Sequence, residues 1–296
     1  MVSEITETFL GAPAGVVADL TLGGAGHARR LLESAEHICV HGFDRDEDAL
    51  AAARDNLAPF GDRVVFHKTR FDEASSLLRG AGVTEISGFL MDLGVSSPQL
   101  DWAERGFSYR LDGPLDMRMD VGQVRSAADV VNGYTIGELI DVLRAYGDER
   151  HAQRIAAAIV ANRPIDSTTR LAEVVADAYP GAARRKSTGH PAKRSFQAIR
   201  IEVNDELTIL GDTVDSMIDM LAPGGIGLVL SYHSGEDRIV KDRMRRAIEG
   251  ETLPGMPSTT PFEWLWRGAH TPSDAEVDVN PRSRSARLRA IARKAS

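Results

Sequence analysis

The sequence predicts an α/β chain built on a mostly parallel, doubly wound sheet with an antiparallel final strand and an inserted all-helical segment. Three observations carry this. Short apolar runs bounded by turn residues recur at Gly15 to Leu20, Ile38 to Phe43, Val64 to His67 and Gly88 to Leu93, with helical spacing between them at Ala28 to Ala35 and Glu47 to Leu57. Strands that alternate with helices need crossovers, and crossovers make parallel pairs. The rhythm then breaks after Gln99: Glu104 to Asp120 is irregular and rich in Gly, Asp and Arg, and Ile136 to Tyr146, Glu149 to Asn162 and Leu171 to Tyr179 follow at helical spacing with no strand between them. Strand character finally returns at Ile226 to Tyr232, behind the turn Pro223-Gly224-Gly225, and a helix follows from Gly235 to Ile248. Ala286 to Arg293 alternates, with Arg287, Arg289 and Arg293 on one face and Leu288, Ala290 and Ala292 on the other, which reads as a half-buried last strand. The expected division is a discontinuous domain over 1–103 and 202–296 and a helical insertion over 104–201.

Composition narrows the function classes. A chain of 296 residues with 43% hydrophobic and 26% charged residues is an ordinary globular composition. It lacks the roughly 18 unbroken apolar residues of a membrane helix. Glu4 and Glu7 occupy the place of a basic signal-peptide region, so a cytoplasmic protein is expected. Cys39 is the only cysteine, which excludes a disulfide framework and a multi-thiolate metal site. No His and carboxylate spacing suggests a metal, and no Gly-Lys-Ser/Thr run suggests a P-loop. A net charge of −8 argues against nonspecific coating of nucleic acid. Glu104 to Ile201 nevertheless carries 15 Lys and Arg against 12 Asp and Glu, so a polyanion is expected to prefer the middle of the chain.

Three clusters carry chemistry. The first βα junction reads Ala18-Asp19-Leu20-Thr21-Leu22-Gly23-Gly24-Ala25-Gly26-His27, and Asp44 closes the second strand about 18 residues past Gly26. Glycines let the backbone turn and let a ligand approach, and an acid at that spacing accepts ribose hydroxyls, so a nucleoside-containing cofactor is implied. The glycine frame continues to Arg29 rather than to a third glycine, which disfavours a dinucleotide. Asp19 suits a cationic sulfonium better than a pyrophosphate. The second cluster, Asp92-Leu93-Gly94-Val95-Ser96-Ser97-Pro98-Gln99, ends the fourth strand. The Ser96 and Ser97 hydroxyls, the carbonyl before Pro98 and the Gln99 amide could hold the N–H groups of an aromatic amine; a plain Ser-Pro turn is the alternative. His233, just past the Ile226 to Tyr232 strand, is a tentative base-orienting residue or simply structural. The third cluster is basic: Arg184, Arg185, Lys186, His190, Lys193, Arg194 and Arg200, with no acid from Gly181 to Ile201. It reads as a set of phosphate contacts for RNA whose target base flips into the cleft, or as a solvated helix face.

Five segments in order, Asp19 to His27, Asp92 to Gln99, Gly113-Pro-Leu-Asp-Met-Arg-Met-Asp120, Phe196-Gln-Ala-Ile-Arg-Ile201 and Asn280-Pro-Arg-Ser-Arg-Ser285, closely resemble the RsmH (MraW) family over nearly the whole chain. The resemblance implies a class I, Rossmann-like S-adenosylmethionine methyltransferase that modifies N4 of a cytosine in the decoding centre of 16S ribosomal RNA. Carried over by position, the cofactor contacts are Ala25, Gly26, His27, Asp44, Phe71, Asp92 and Gln99, with Phe71 against the adenine. The implied partners are small-subunit ribosomal RNA or the 30S particle, with a homodimer allowed and no membrane. Family members usually begin with a His-x-Pro-Val segment ahead of the stretch matching Met1 to Phe9, and this sequence has none there, which implies a shortened start or an altered lid over the cofactor. Two rivals share part of the pattern: a small-molecule N-methyltransferase has no use for the basic stretch, and a noncatalytic RNA-binding assembly factor has no use for the cofactor loop.

Overall fold

The computed structural model describes residues 1–181, 189–250 and 260–295. The chain divides into two compact units, Met1–Gly94 with Leu207–Ser296, and Val95–Glu206. The division falls earlier than 103/104 and later than 201/202, for a packing reason. Val95 and Leu100 lie on the apolar core of the second unit, and Glu206 is paired there with Arg200.

The first unit holds a seven-stranded sheet of β1 (Gly15–Asp19), β2 (Ile38–Asp44), β3 (Val64–Lys68), β4 (Ile86–Asp92), β5 (Leu221–Ser231), β6 (Phe262–Trp264) and β7 (Arg287–Arg293), in the order β3-β2-β1-β4-β5-β7-β6. The first five are parallel neighbours, while β7 runs antiparallel to both β5 and β6. The order reverses between β1 and β4, which makes a crevice at their carboxyl ends. The pleat sorts side chains between two cores: Val17, Val40, Leu90 and Leu228 face one side, and Ala18, Phe43, Met91 and Val229 the other. Helices α1 (Val2–Phe9), α2 (Gly26–Ser34) and α3 (Glu47–Leu57) put apolar residues on the first core. Helices α4 (Ala74–Gly80), α11 (Leu210–Asp219) and α12 (Ser234–Glu249) cover the second.

Two strands differ from the sequence reading. β5 begins at Leu221, because the Pro223-Gly224-Gly225 turn is absorbed as an irregularity where Ile86 pairs Leu221 and Gly88 pairs Ile226, with Gly224 at φ 80°. β7 is not half-buried: Arg289 is 7% exposed, and its guanidinium makes two hydrogen bonds to Asp237 of α12, at 2.7 and 3.0 Å. The arginine face is thus covered at its centre, where Arg289 is paired, and open at Arg287. The short edge strand β6 was not anticipated.

The second unit contains α5 (Ser97–Asp101), α6 (Ala127–Gly133), α7 (Ile136–Gly147), α8 (Ala152–Ala161), α9 (Thr168–Ala178) and α10 (Lys193–Asn204). Their apolar stripes meet in one core that includes Val130, Leu139, Ile155, Leu171 and Ile199. The irregular stretch 104–120 is fixed by side-chain bonds in place of regular structure. The Thr168 hydroxyl donates to the Leu111 carbonyl (2.6 Å) and accepts from the Gly113 amide (3.0 Å); Asn204 accepts from the Met119 amide (2.9 Å) and donates to the Met117 carbonyl (2.7 Å). Gly113 is packed so closely on Ala103 that a Cβ would lie 1.9 Å from its carbonyl oxygen. Among the described residues no helix is long and apolar enough to cross a membrane.

Candidate active site

In the first unit the polar residues converge at the carboxyl ends of β1, β2 and β4. The loop from β1 to α2 turns through Gly23 (φ 52°) and Ala25 (φ 65°), two left-handed residues within three positions. Its shape is held from outside: the Leu22 amide donates to the Phe43 carbonyl (2.9 Å), the Asn56 side-chain amide donates to the Gly24 carbonyl (2.9 Å), and the Gly23 amide donates to Asp44 Oδ2 (2.8 Å). A Cβ built on Gly24 or Gly26 meets no heavy atom within 4 Å, so the loop borders open space where a ligand can approach its backbone.

Asp44 ends β2 and also accepts the Asp46 amide on Oδ1 at 2.9 Å. Each carboxylate oxygen takes one loop amide, which leaves acceptor capacity on both for the hydroxyls of a ribose. Burial pushes the Asp44 carboxyl up from its ordinary range. The Asp44 carbonyl receives the Thr69 amide (3.0 Å), which brings Phe71, two residues on, to the same end of the sheet. Phe71 is partly buried and rests on the second core, with ring area left for a flat partner.

Asp92 ends β4. Its amide donates to Thr21 Oγ1 (2.6 Å), Oδ1 receives the Tyr232 hydroxyl (2.8 Å), and Oδ2 lies 3.6 Å from His27 Nε2. Burial alone would lower the His27 pKa, but the nearby Asp92 and Asp19 carboxylates raise it overall. Asp19, 3% exposed, is pushed by burial up to about 7, against the pull of His27 and the Thr21 amide. Tyr232 is a participant that sequence reasoning missed. Its position just past β5, the strand beside β4, is the signal that would have found it.

The remaining predicted residues have local duties. In the second unit Ser96 and Gln99 form a capping box on α5: the Gln99 amide N–H donates to Ser96 Oγ (3.4 Å), and Gln99 Oε1 accepts the Ser96 amide (3.0 Å). Gln99 is 5% exposed, whereas Ser97 and Pro98 are exposed on the first turn. In the first unit His233 caps α12, with Nδ1 accepting the Gly235 and Glu236 amides at 3.2 and 3.4 Å and Nε2 2.9 Å from Glu236 Oε1. Of the basic cluster, Arg184, Arg185 and Lys186 lie outside the described residues. Lys193 and Arg194 are exposed at the start of α10, with Arg194 donating to the Asp148 carbonyl (3.0 Å). Arg200 is mostly buried and makes two hydrogen bonds to Glu206, at 2.8 and 2.9 Å.

A doubly wound sheet with this strand order, an open glycine loop at its switch point and an acid at the end of the second strand that holds that loop define a class I S-adenosylmethionine-dependent methyltransferase. The chain belongs to the MraW methylase family, whose model matches residues 1–294. A relative from Saccharopolyspora erythraea, named Ribosomal RNA small subunit methyltransferase H, is 48% identical over 298 residues, covering 98% of this chain and 90% of its own length. A second of the same name, from Thermobifida fusca, is 47% identical over 300 residues, covering 99% and 91%. Among solved structures, an rRNA methylase from Streptococcus thermophilus aligns at 11% identity and a TM-score of 0.41 over 99% of this chain and 95% of that one.

Proposed function

We propose that this chain transfers the methyl group of S-adenosylmethionine to a base of small-subunit ribosomal RNA, and that the target is the exocyclic N4 amine of a cytosine in the decoding centre. The observation that carries the cofactor half is Asp44: an acid at the carboxyl end of β2 that holds the glycine loop and keeps acceptor capacity for a sugar. The ribosomal half is supported by the family and by the names of its relatives, and the cytosine N4 assignment by the five motifs of the sequence.

In this reading Ala25, Gly26 and His27 line the cofactor's approach, Asp44 accepts its ribose hydroxyls, Phe71 stacks on its adenine, and Asp92 accepts its remaining donors. The cofactor supplies a methyl group on a cationic sulfur. Ser96, Ser97, the carbonyl ahead of Pro98 and Gln99 are the groups assigned to the N–H groups of the amine, and holding an acceptor in line for transfer lowers the barrier. The bond to sulfur breaks as the N–C bond forms, and the proton leaves the nitrogen for water, so no strong base is required. His233 enters as the cap of α12, whose Glu236 accepts the Tyr232 and His233 amides. Lys193 and Arg194, with Arg184, Arg185 and Lys186, contact phosphates, whereas Arg200 is assigned to the architecture of α10 through Glu206.

The test is mass mapping of methylated nucleosides in 16S ribosomal RNA after incubation of deficient 30S particles with the protein and S-adenosylmethionine. A new N4-methylcytidine that Asp44→Ala fails to produce is the expected result. A methyl group on another atom would sink the assignment of the target, and no transfer by a protein shown to bind the cofactor would sink the catalytic reading.

A further inference from the structure

The second unit carries an aromatic stack that runs from its core outward to the surface. Tyr109 and His190 lie face to face, with ring centroids 4.8 Å apart and planes 17° from parallel. Phe196, buried on α10, meets Tyr109 edge-on at 5.8 Å and 81°, and anchors the stack from below. The Arg110 guanidinium lies over the Tyr109 ring, 5.6 Å from its centre. Burial falls outward through the stack: Phe196 is buried, Tyr109 half-buried, and His190 and Arg110 exposed.

A stack that served packing alone would place its polar ring elsewhere, since ordering an exposed histidine costs side-chain entropy and buries little apolar area. Here the ring is held in place, because His190 Nδ1 accepts the Ala192 amide at 3.2 Å. Tyr109 sits on the 104–120 stretch, which Thr168 and Asn204 make rigid. The segment that bears His190 is basic along the chain: no Asp or Glu occurs from Gly181 to Ile201, and exposed Lys193 and Arg194 open the helix that bears Phe196. Ordered, outward-facing rings beside a guanidinium and two further cations are what an unpaired nucleobase and its flanking phosphates recognise.

We infer that Tyr109, His190 and Arg110 form a stacking platform for an unpaired base of the RNA substrate, with Lys193 and Arg194 taking the adjoining phosphates. The inference deepens the proposed function and rests on its RNA reading. Stacking on a ring tolerates any base, so the platform supplies affinity and hold on a single-stranded segment, not sequence choice.

The experiment is fluorescence anisotropy of a labelled single-stranded small-subunit RNA fragment with the full chain, over a salt series, with cofactor binding measured in parallel. Tyr109→Leu and His190→Ala each weaken RNA binding about 10-fold at every salt concentration and leave the salt slope and cofactor affinity unchanged. Tyr109→Phe and His190→Phe, which keep a ring, bind as the parent does. Lys193→Ala with Arg194→Ala instead flattens the salt slope. Because Tyr109 touches Phe196, the exposed His190 is the variant that separates binding from folding. RNA affinity unchanged in His190→Ala and Tyr109→Leu, with the parent binding normally, would overturn the platform and leave the RNA reading standing. A parent that takes up cofactor and binds neither the fragment nor the 30S particle overturns both.

Discussion

Asp44 shows how one side chain can link a loop to a ligand. It spends one oxygen on the Gly23 amide and one on the Asp46 amide, and in the proposed function the same charge serves a sugar. Hydrogen bonds to a charged acceptor contribute about 1.5 to 3 kcal/mol each, so Asp44→Ala is expected to raise the cofactor Kd by at least about 10-fold in calorimetry. Tyr232→Phe deletes the donor that holds Asp92 Oδ1, and methyl transfer is expected to fall about 10-fold while the fold survives, read by single-turnover kinetics beside a melting curve. Asp19 has a pH signature. Its carboxyl is raised in the folded chain, so its stabilising contribution is full below the unfolded value near 3.8 and is lost as pH rises toward about 7. The melting temperature of cofactor-free Asp19→Asn relative to the parent is therefore expected to climb from about pH 4 to pH 7 and then level off. A flat difference across that range would show that Asp19 is ionised in the fold.

At the scale of elements, β2 and β3 are joined by a histidine pair as well as by their ladder. His41 Nδ1 and His67 Nε2 are 3.1 Å apart, and Phe43 stacks on His67 with centroids 4.4 Å apart. Burial lowers both imidazoles, and His67 adds to the effect on His41. A lowered base is neutral in the fold, so its contribution is present above the unfolded value near 6.5 and is lost as pH falls through the folded value. The melting temperature of the parent relative to His41→Gln should fall as the solution is acidified from about pH 7 to pH 5. Such a pair is hidden from a linear reading because it depends on strand register. What could be read was whatever repeats along one element: the βα rhythm, the helical spacing of α7 to α9, and the Gly23 to Asp44 pairing, whose spacing a βαβ unit dictates. β6 escaped because three residues cannot show a period of two. The arginine face of β7 looked solvated because Asp237, which neutralises it, comes from a helix 50 residues earlier. Ser96 and Gln99 carry a helix-start signature, Ser-x-x-Gln, beside the hydroxyl and amide proposed for the amine, and in the fold they cap α5.

For the whole molecule, a ligand that binds only the folded first unit stabilises it by mass action. S-adenosylmethionine at about 100 times its Kd should add about 2.7 kcal/mol, and hydrogen exchange should slow at the Gly23 and Asp46 amides with little change in α7 to α9. Uniform slowing across both units would mean that the donor acts on more than its own pocket. The position of β7 between β5 and β6 also bears on how the chain is made. As the polypeptide leaves the ribosomal tunnel, residues 95–206 have all emerged while the host sheet still waits for residues 287–293. The inserted unit can therefore be finished first, and the methyl-donor half stays open at β5, with Asp237 awaiting Arg287 and Arg289, until the last strand slides home.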